Sequence, residues 1–213
     1  MIYLYSGTPG TGKSYHSLLT ALRWINRKKI VIANFPIKTD RENFIYKEVI
    51  DVKDLLEISM KYGLYKKESS ALLIVDEAGI IYNSRDFMQN MKRRNDWIKF
   101  YSQHRKFGYD VVLVAQDDRM IDRQIRNMIE VEIKHLTILN EILSLLPIKI
   151  TVTKWYQFKN MRGSVGFIVL LNKYFKMYDT MRMFDIDIDK LKKELLDYKI
   201  IDSESAKRLI ANS

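Results

Sequence analysis

The chain has 213 residues, 47% of them hydrophobic and 29% charged, and no cysteine. That balance excludes disordered, collagen-like and disulfide-stapled classes, and the length fits one domain with an appendage. A formal charge of +10 points to an anionic partner, whether nucleic acid, nucleotide or acidic membrane, without choosing among them.

Met1–Ser6 is short, apolar and aromatic, and is expected to be a strand. Gly7–Gly12 is a Gly/Pro/Thr turn. In Ser14–Arg27 the apolar residues Leu18, Leu19, Leu22 and Ile25 recur at helical spacing. Lys29–Phe35 is a β-branched run that stops at Pro36, a second strand. Val52–Tyr62 reads as a helix, Ala71–Val75 as a buried strand, and Phe87–Tyr101 as a basic helix. Asp110–Ala115 is a further buried strand, and Arg119–Glu130 is expected to be helical. Near-continuous apolar strands alternating with helices predict an α/β fold, a mostly parallel sheet with helices on both faces.

From Pro147 the pattern changes. Ile148, Ile150 and Val152 alternate with Lys149, Thr151 and Thr153, a period of two. Met161–Ser164 is a turn, and Val165–Leu171 a returning strand. This predicts an appended β-hairpin. Asp187–Lys199 and Ser203–Ala211 read as short helices, the second capped by Ser203. The expected organisation is a core over 1–146, a hairpin over 147–182 and a helical segment over 183–213. Met1–Gly10 lacks the basic and apolar regions of a signal peptide. No apolar window reaches the roughly 18 residues of a spanning helix; Leu136–Leu146 is broken by Thr137, Asn140, Glu141 and Ser144.

The charge is uneven. Residues 85–106 carry seven bases and two acids, and residues 149–182 seven bases and one acid. The remainder of the chain is nearly neutral. Solvated faces explain such segments as readily as a binding surface does.

Gly7-Thr8-Pro9-Gly10-Thr11-Gly12-Lys13-Ser14 matches the G-x-x-x-x-G-K-[ST] phosphate loop, between a strand and a helix as that motif requires. Gly10 and Gly12 permit turns and close approach that side chains block. Inward-facing N–H groups then form an anion nest at a helix N-terminus. Lys13 is expected to reach the β- and γ-phosphates of ATP, and Ser14 to ligate Mg²⁺. Leu72–Val75 delivers Asp76 to the strand end, where ligands bind in open α/β sheets. Asp76 is expected to hold Mg²⁺ and Glu77 to polarise the attacking water. Gln116, at the end of another core strand, is a candidate γ-phosphate sensor. Arg105, Arg119, Arg123 and Arg126 are candidate arginine fingers. His16, His104 and His135 have no metal-ligand spacing in sequence, so a zinc site is not expected. Trp155, Tyr156 and Phe158, beside Lys154 and Lys159, can stack nucleic-acid bases or form one packed face of the hairpin.

Together these residues resemble the filamentous-phage (inovirus) assembly ATPases, the family also named for the zonular occludens toxin. The similar features, in order, are Gly7–Ser14 followed by Tyr15, Asn34 closing the second strand, and Asp76-Glu77-Ala78. Then come the block His104-Arg105, Gly108, Asp110 and Gln116, and Tyr178-Asp179-Thr180. The resemblance implies an additional-strand P-loop NTPase fold (RecA/FtsK-HerA-like), in which the Gln116 strand separates the P-loop strand from the Asp76 strand. It also implies an ATP-hydrolysing oligomer, a hexamer among the options, that extrudes a single-stranded DNA phage through the inner membrane. Tyr15 joins the nucleotide-binding residues on that basis. Many members continue into a transmembrane helix, so membrane attachment here is expected through a partner at the cytoplasmic face. A small-molecule or nucleotide kinase, or a DNA translocase unrelated to phage export, is the alternative. Glu77 beside the metal ligand favours a hydrolase over a kinase. A GTPase reading of Asn172-Lys173-Tyr174-Phe175 fails because Phe175 stands where an Asp is needed.

Overall fold

The computed structural model describes residues 1–83, 90–136, 149–157 and 163–170. In chain order the elements are β1 (Ile2–Ser6), α1 (Lys13–Asn26), β2 (Ile30–Ala33), β3 (Phe44–Tyr46) and α2 (Val52–Lys61). Next come β4 (Ala71–Val75), α3 (Ala78–Ile81), α4 (Met91–Gln103) and β5 (Tyr109–Val114). A 3-10 turn (Asp118–Met120), α5 (Arg123–Arg126), β6 (Val131–Leu136), β7 (Lys149–Gln157) and β8 (Gly163–Leu170) follow.

The eight strands form one sheet in the order β3-β2-β4-β5-β1-β6-β7-β8. Strands β1 to β6 pair in parallel, and β6–β7 and β7–β8 pair antiparallel. β5 therefore lies between β4 and β1, the order that the resemblance implies. The hairpin strands continue the main sheet through β6.

Period-two alternation sorts the strand side chains onto two faces. Leu73, Val75, Val111 and Leu113 meet Leu55 and Ile58 of α2 and Trp97 and Phe100 of α4 on one face. Leu72, Ile74, Val112 and Val114 meet Leu18, Ala21 and Ile25 of α1 on the other. All five residues of β4 are buried. Each buried aliphatic side chain contributes about 1.5–3 kcal/mol, so the register of β4, and with it the place of Asp76, is firmly held.

Three expectations are corrected. Residues 119–130 do not form one helix: the chain is extended at Ile121, between the 3-10 turn and α5. Local side-chain bonds compete with the helix there. Asp117 accepts from the Arg119 N–H, and Asp122 accepts from the Gln124 N–H and from Arg94 Nε at 3.1 Å. Gly163 and Ser164, expected in a turn, already belong to β8. Trp155 and Tyr156 are adjacent on β7 and so project from opposite faces of the sheet, which rules out their forming one packed face of the hairpin. Phe158, Lys159 and the helices expected over Asp187–Lys199 and Ser203–Ala211 lie outside the described residues, as do Asn172–Phe175 and Tyr178–Thr180.

Candidate functional site

β1, β4 and β5 run parallel, so Ser6, Val75 and Val114 end on one edge of the sheet. The candidate residues that follow them gather there. Gly7–Gly12 leaves β1 and enters α1 through Gly12, which is left-handed at φ +87 and caps the helix with no side-chain bond. A Cβ at Gly12 would stand 2.9 Å from Thr151 Oγ1 on the hairpin, so both backbone and space require glycine. The first α1 hydrogen bond runs from the His16 N–H to the Gly12 carbonyl. The N–H groups of Lys13 and Ser14 precede that first bond at the helix N-terminus, an arrangement suited to an anion.

Within the loop, Thr11 is buried and its hydroxyl donates to the Thr8 carbonyl at 2.8 Å. The Lys13 ammonium donates to the carbonyls of Gly7 (2.7 Å) and Thr8 (2.9 Å). Burial lowers the Lys13 pKa, against the pull of Asp76 and Glu77. Burial and then Asp76 raise the Glu77 pKa, opposed by Lys13. The three charges therefore share one electrostatic neighbourhood. Thr8, Pro9 and Gly10 are exposed.

Asp76 is buried at the end of β4. Its carboxylate accepts from the Glu77 N–H at 2.9 Å. Glu77 itself is left-handed, φ 52 and ψ 38, and opens α3. For a residue with a side chain that conformation costs about 1–3 kcal/mol, and it turns the chain sharply off the strand at the site. The donors suit magnesium: a hydroxyl from Ser14 and a carboxylate from Asp76, both hard oxygen ligands. Among the described residues no three His, Cys, Asp or Glu gather as a metal cluster. An ion there would rest on these two side chains and on phosphate oxygens.

Asn34 carries more than its sequence position indicates. From the end of β2, its Nδ2 donates to the Asp76 carbonyl at 2.9 Å and its Oδ1 accepts from the Asp76 N–H at 2.7 Å. One side chain thus pins both backbone groups of Asp76. Asn34→Ala is expected to lower ATP turnover about tenfold while ATP affinity changes less than threefold. Loss of two hydrogen bonds should also reduce stability by about 1–3 kcal/mol. Steady-state kinetics beside an equilibrium binding titration checks this, and undiminished turnover would contradict it.

Gln116 reaches the loop through its backbone, its carbonyl accepting from the Gly7 N–H at 3.1 Å. Its side chain is exposed at the same edge. Tyr15 is buried, and its hydroxyl donates to the Val169 carbonyl of β8 at 3.4 Å. Its side chain therefore faces the hairpin. The rest of the His104–Asp110 block lies elsewhere. Buried His104 is bonded to the Tyr101 carbonyl, and Asp110, near the start of β5, accepts from the Ser69 hydroxyl at 3.1 Å. That is the opposite end of β5 from Gln116.

The arginine candidates divide. Arg105, itself exposed, pairs with Glu130 at 2.7 Å and half-buried Arg126 with Asp118 at 3.7 Å, and Arg119 and Arg123 are exposed. In the basic segment 85–106, Arg94 is held by Asp122. Lys92, Arg93, Lys99 and Lys106 face solvent. The histidines make a contact that linear spacing hides: His16 Nδ1 and His135 Nε2 stand 3.0 Å apart. They bond to each other, and no metal cluster includes them among the described residues.

Comparison with known proteins follows the same lines. A family model described as "Zonular occludens toxin (Zot)" matches residues 1–207. The Gene 1 protein of Escherichia phage If1 is 28% identical over an alignment of 142 residues, gaps included, and the match covers 59% of this chain and 38% of that protein. The chain thus spans about two fifths of the length of that relative. The N-terminal domain of zonular occludens toxin from Neisseria meningitidis superposes with a TM-score of 0.57 at 16% identity, covering 84% of this chain and 98% of that one. The genome packaging NTPase B204 of Sulfolobus turreted icosahedral virus 2, in complex with AMPPCP, gives 0.55 at 14% identity, covering 80% and 98%. At these identities the structural matches bear on the fold, which is that of the P-loop NTPases.

Proposed function

Because this chain belongs to the zonular occludens toxin (Zot) family, we propose that it hydrolyses ATP with Mg²⁺ to drive assembly and export of a filamentous phage, extruding a single-stranded DNA virion through the host inner membrane. The observation that carries this reading is the meeting of Lys13, Ser14, Asp76 and Glu77 at one sheet edge, with Lys13 and Glu77 each feeling the other's charge. The loop N–H groups and Lys13 receive the phosphates, with Gly7 to Tyr15 forming the nucleotide cradle. Ser14 and Asp76 hold Mg²⁺, which supplies charge neutralisation at the β- and γ-phosphates. Glu77 accepts a proton from the attacking water; a carboxyl pKa raised by burial makes it a better base than a free glutamate. Gln116 senses the γ-phosphate.

In the same reading the active form is a homo-oligomer, with Arg105, Arg119, Arg123 and Arg126 as the candidate fingers. The core is 1–146, the hairpin 147–182 and the C-terminal helical segment 183–213. No helix among the described residues is long and apolar enough to cross a membrane, and membrane attachment is assigned to a partner at the cytoplasmic face. The basic surfaces in 85–106 and 149–182 face single-stranded DNA or acidic lipid. A DNA translocase without a role in export is the second reading, favoured by the likeness to a genome packaging NTPase.

ATP and GTP hydrolysis measured with and without single-stranded DNA tests the proposal. Slow, ATP-preferring turnover is expected, with DNA affinity that falls steeply as salt rises, because bound Lys and Arg release condensed counterions. Absence of turnover in an oligomeric preparation would overturn the motor. A flat salt response would remove DNA as the reason for the charge.

A further inference from the structure

Two buried imidazoles join the two ends of the phosphate loop. His135, near the end of β6, lies beneath the point where β1 becomes the loop. Its Nδ1 is 3.1 Å from the Ser6 carbonyl. A carbonyl only accepts, so Nδ1 carries the proton, and Nε2 of the neutral ring is an acceptor. Nε2 stands 3.0 Å from His16 Nδ1, which therefore donates. His16 lies on α1, two residues beyond Ser14. Tyr5 stacks on its ring, the centroids 4.3 Å apart and the planes within 10°.

Both rings are almost fully enclosed, His16 at 4% and His135 at 1% exposure. Burial pushes their pKa values down, to about 3 and about 4, so both are neutral near pH 7, as these bonds require. The backbone adds a third contact. A Cβ on Gly7 would stand 2.5 Å from the His135 carbonyl oxygen. The first loop residue thus rests directly on His135.

Lys13 makes this bridge matter. Its ammonium bonds the carbonyls of Gly7 and Thr8. A lysine that turns to a phosphate gives up those bonds. The loop then keeps its shape through contacts that do not involve Lys13. We propose that His135 is a positioning residue for the phosphate loop: through Ser6 and His16 it ties the strand before the loop to the helix after it, so that the anion nest persists when Lys13 engages a nucleotide. This rests on the reading of Gly7–Ser14 as the nucleotide site.

The test compares ATP dissociation constants and the KM and kcat for ATP across His135 variants. His135→Phe removes both side-chain bonds and is expected to raise Kd and KM at least tenfold, with kcat within threefold. His135→Asn keeps a donor near Ser6, and His135→Gln keeps an acceptor near His16. Each is expected to be intermediate, and these two keep the test available if the Phe variant does not fold. His16→Phe combined with His135→Phe should be no worse than the larger single effect, since one bridge is broken in each. A merely structural role would lower the active fraction, and so kcat, without moving Kd or KM. Folded Asn and Gln variants with Kd within twofold of wild type would overturn the proposal. Lys13→Ala is run alongside. If it weakens ATP binding while the His135 variants do not affect it, the bridge alone falls; if it has no effect, the site reading falls with it.

Discussion

Glu77→Gln is expected to lower ATP turnover by about 10²–10⁴-fold, the factor that a positioned general base contributes, while ATP binding is retained. The substitution is nearly isosteric. A glutamine at this position would keep the left-handed turn at φ 52 and the backbone bond to the Asp76 carboxylate, so the loop and the metal ligands stay in place. What is lost is the carboxylate, the group that can take a proton from water. Phosphate release and nucleotide binding measured on the same preparation separate the two effects. Turnover within threefold of wild type would show that Glu77 is not the base.

Lys13→Ala acts on binding first. Lys13 is the side chain whose charge feels both Asp76 and Glu77, and it is the cation the loop itself supplies. Its removal deletes one or two charge-assisted hydrogen bonds to phosphate, which predicts ATP affinity weaker by about 10–100-fold. It also deletes the two bonds to the Gly7 and Thr8 carbonyls, so the loop loses an internal tie. Turnover should fall further than affinity, since charge developing on the γ-phosphate is no longer neutralised. Titration with ATP and ADP is the check, and unchanged affinity for both would contradict the assignment.

The site's two halves are legible in the sequence because each is local. Gly7–Ser14 is a contiguous backbone device, and β4 is an unbroken apolar run whose first polar residues are Asp76 and Glu77. What stays hidden depends on contacts across the fold. Asn34 is 42 residues from Asp76, with nothing in its own neighbourhood to announce two backbone bonds. The His16–His135 bond spans 119 residues. Metal-ligand spacing is silent on such a pair.

β6 escapes the sequence reading although Val131, Ile133 and His135 alternate with Glu132 and Lys134. Its six residues follow a segment that reads as helical to Glu130, and they run straight into the apolar stretch from Leu136. β3, three residues long, and α3, four, are too short for any periodicity to register. The block of His104, Arg105 and Asp110 carries much of the family likeness, yet it braces the far end of β5. Gln116 alone stands by the loop. A motif that identifies a family need not build its site.

The proposed function stands on Gly7–Ser14 and Asp76–Glu77 forming one Mg²⁺–ATP site. A crystal structure of Glu77→Gln with ATP and Mg²⁺ tests it most directly. The phosphates are expected in the loop, the γ-phosphate within hydrogen-bond reach of Lys13, and the ion between Ser14 and Asp76. Nucleotide bound away from the loop, or an ion that touches neither side chain, would contradict it.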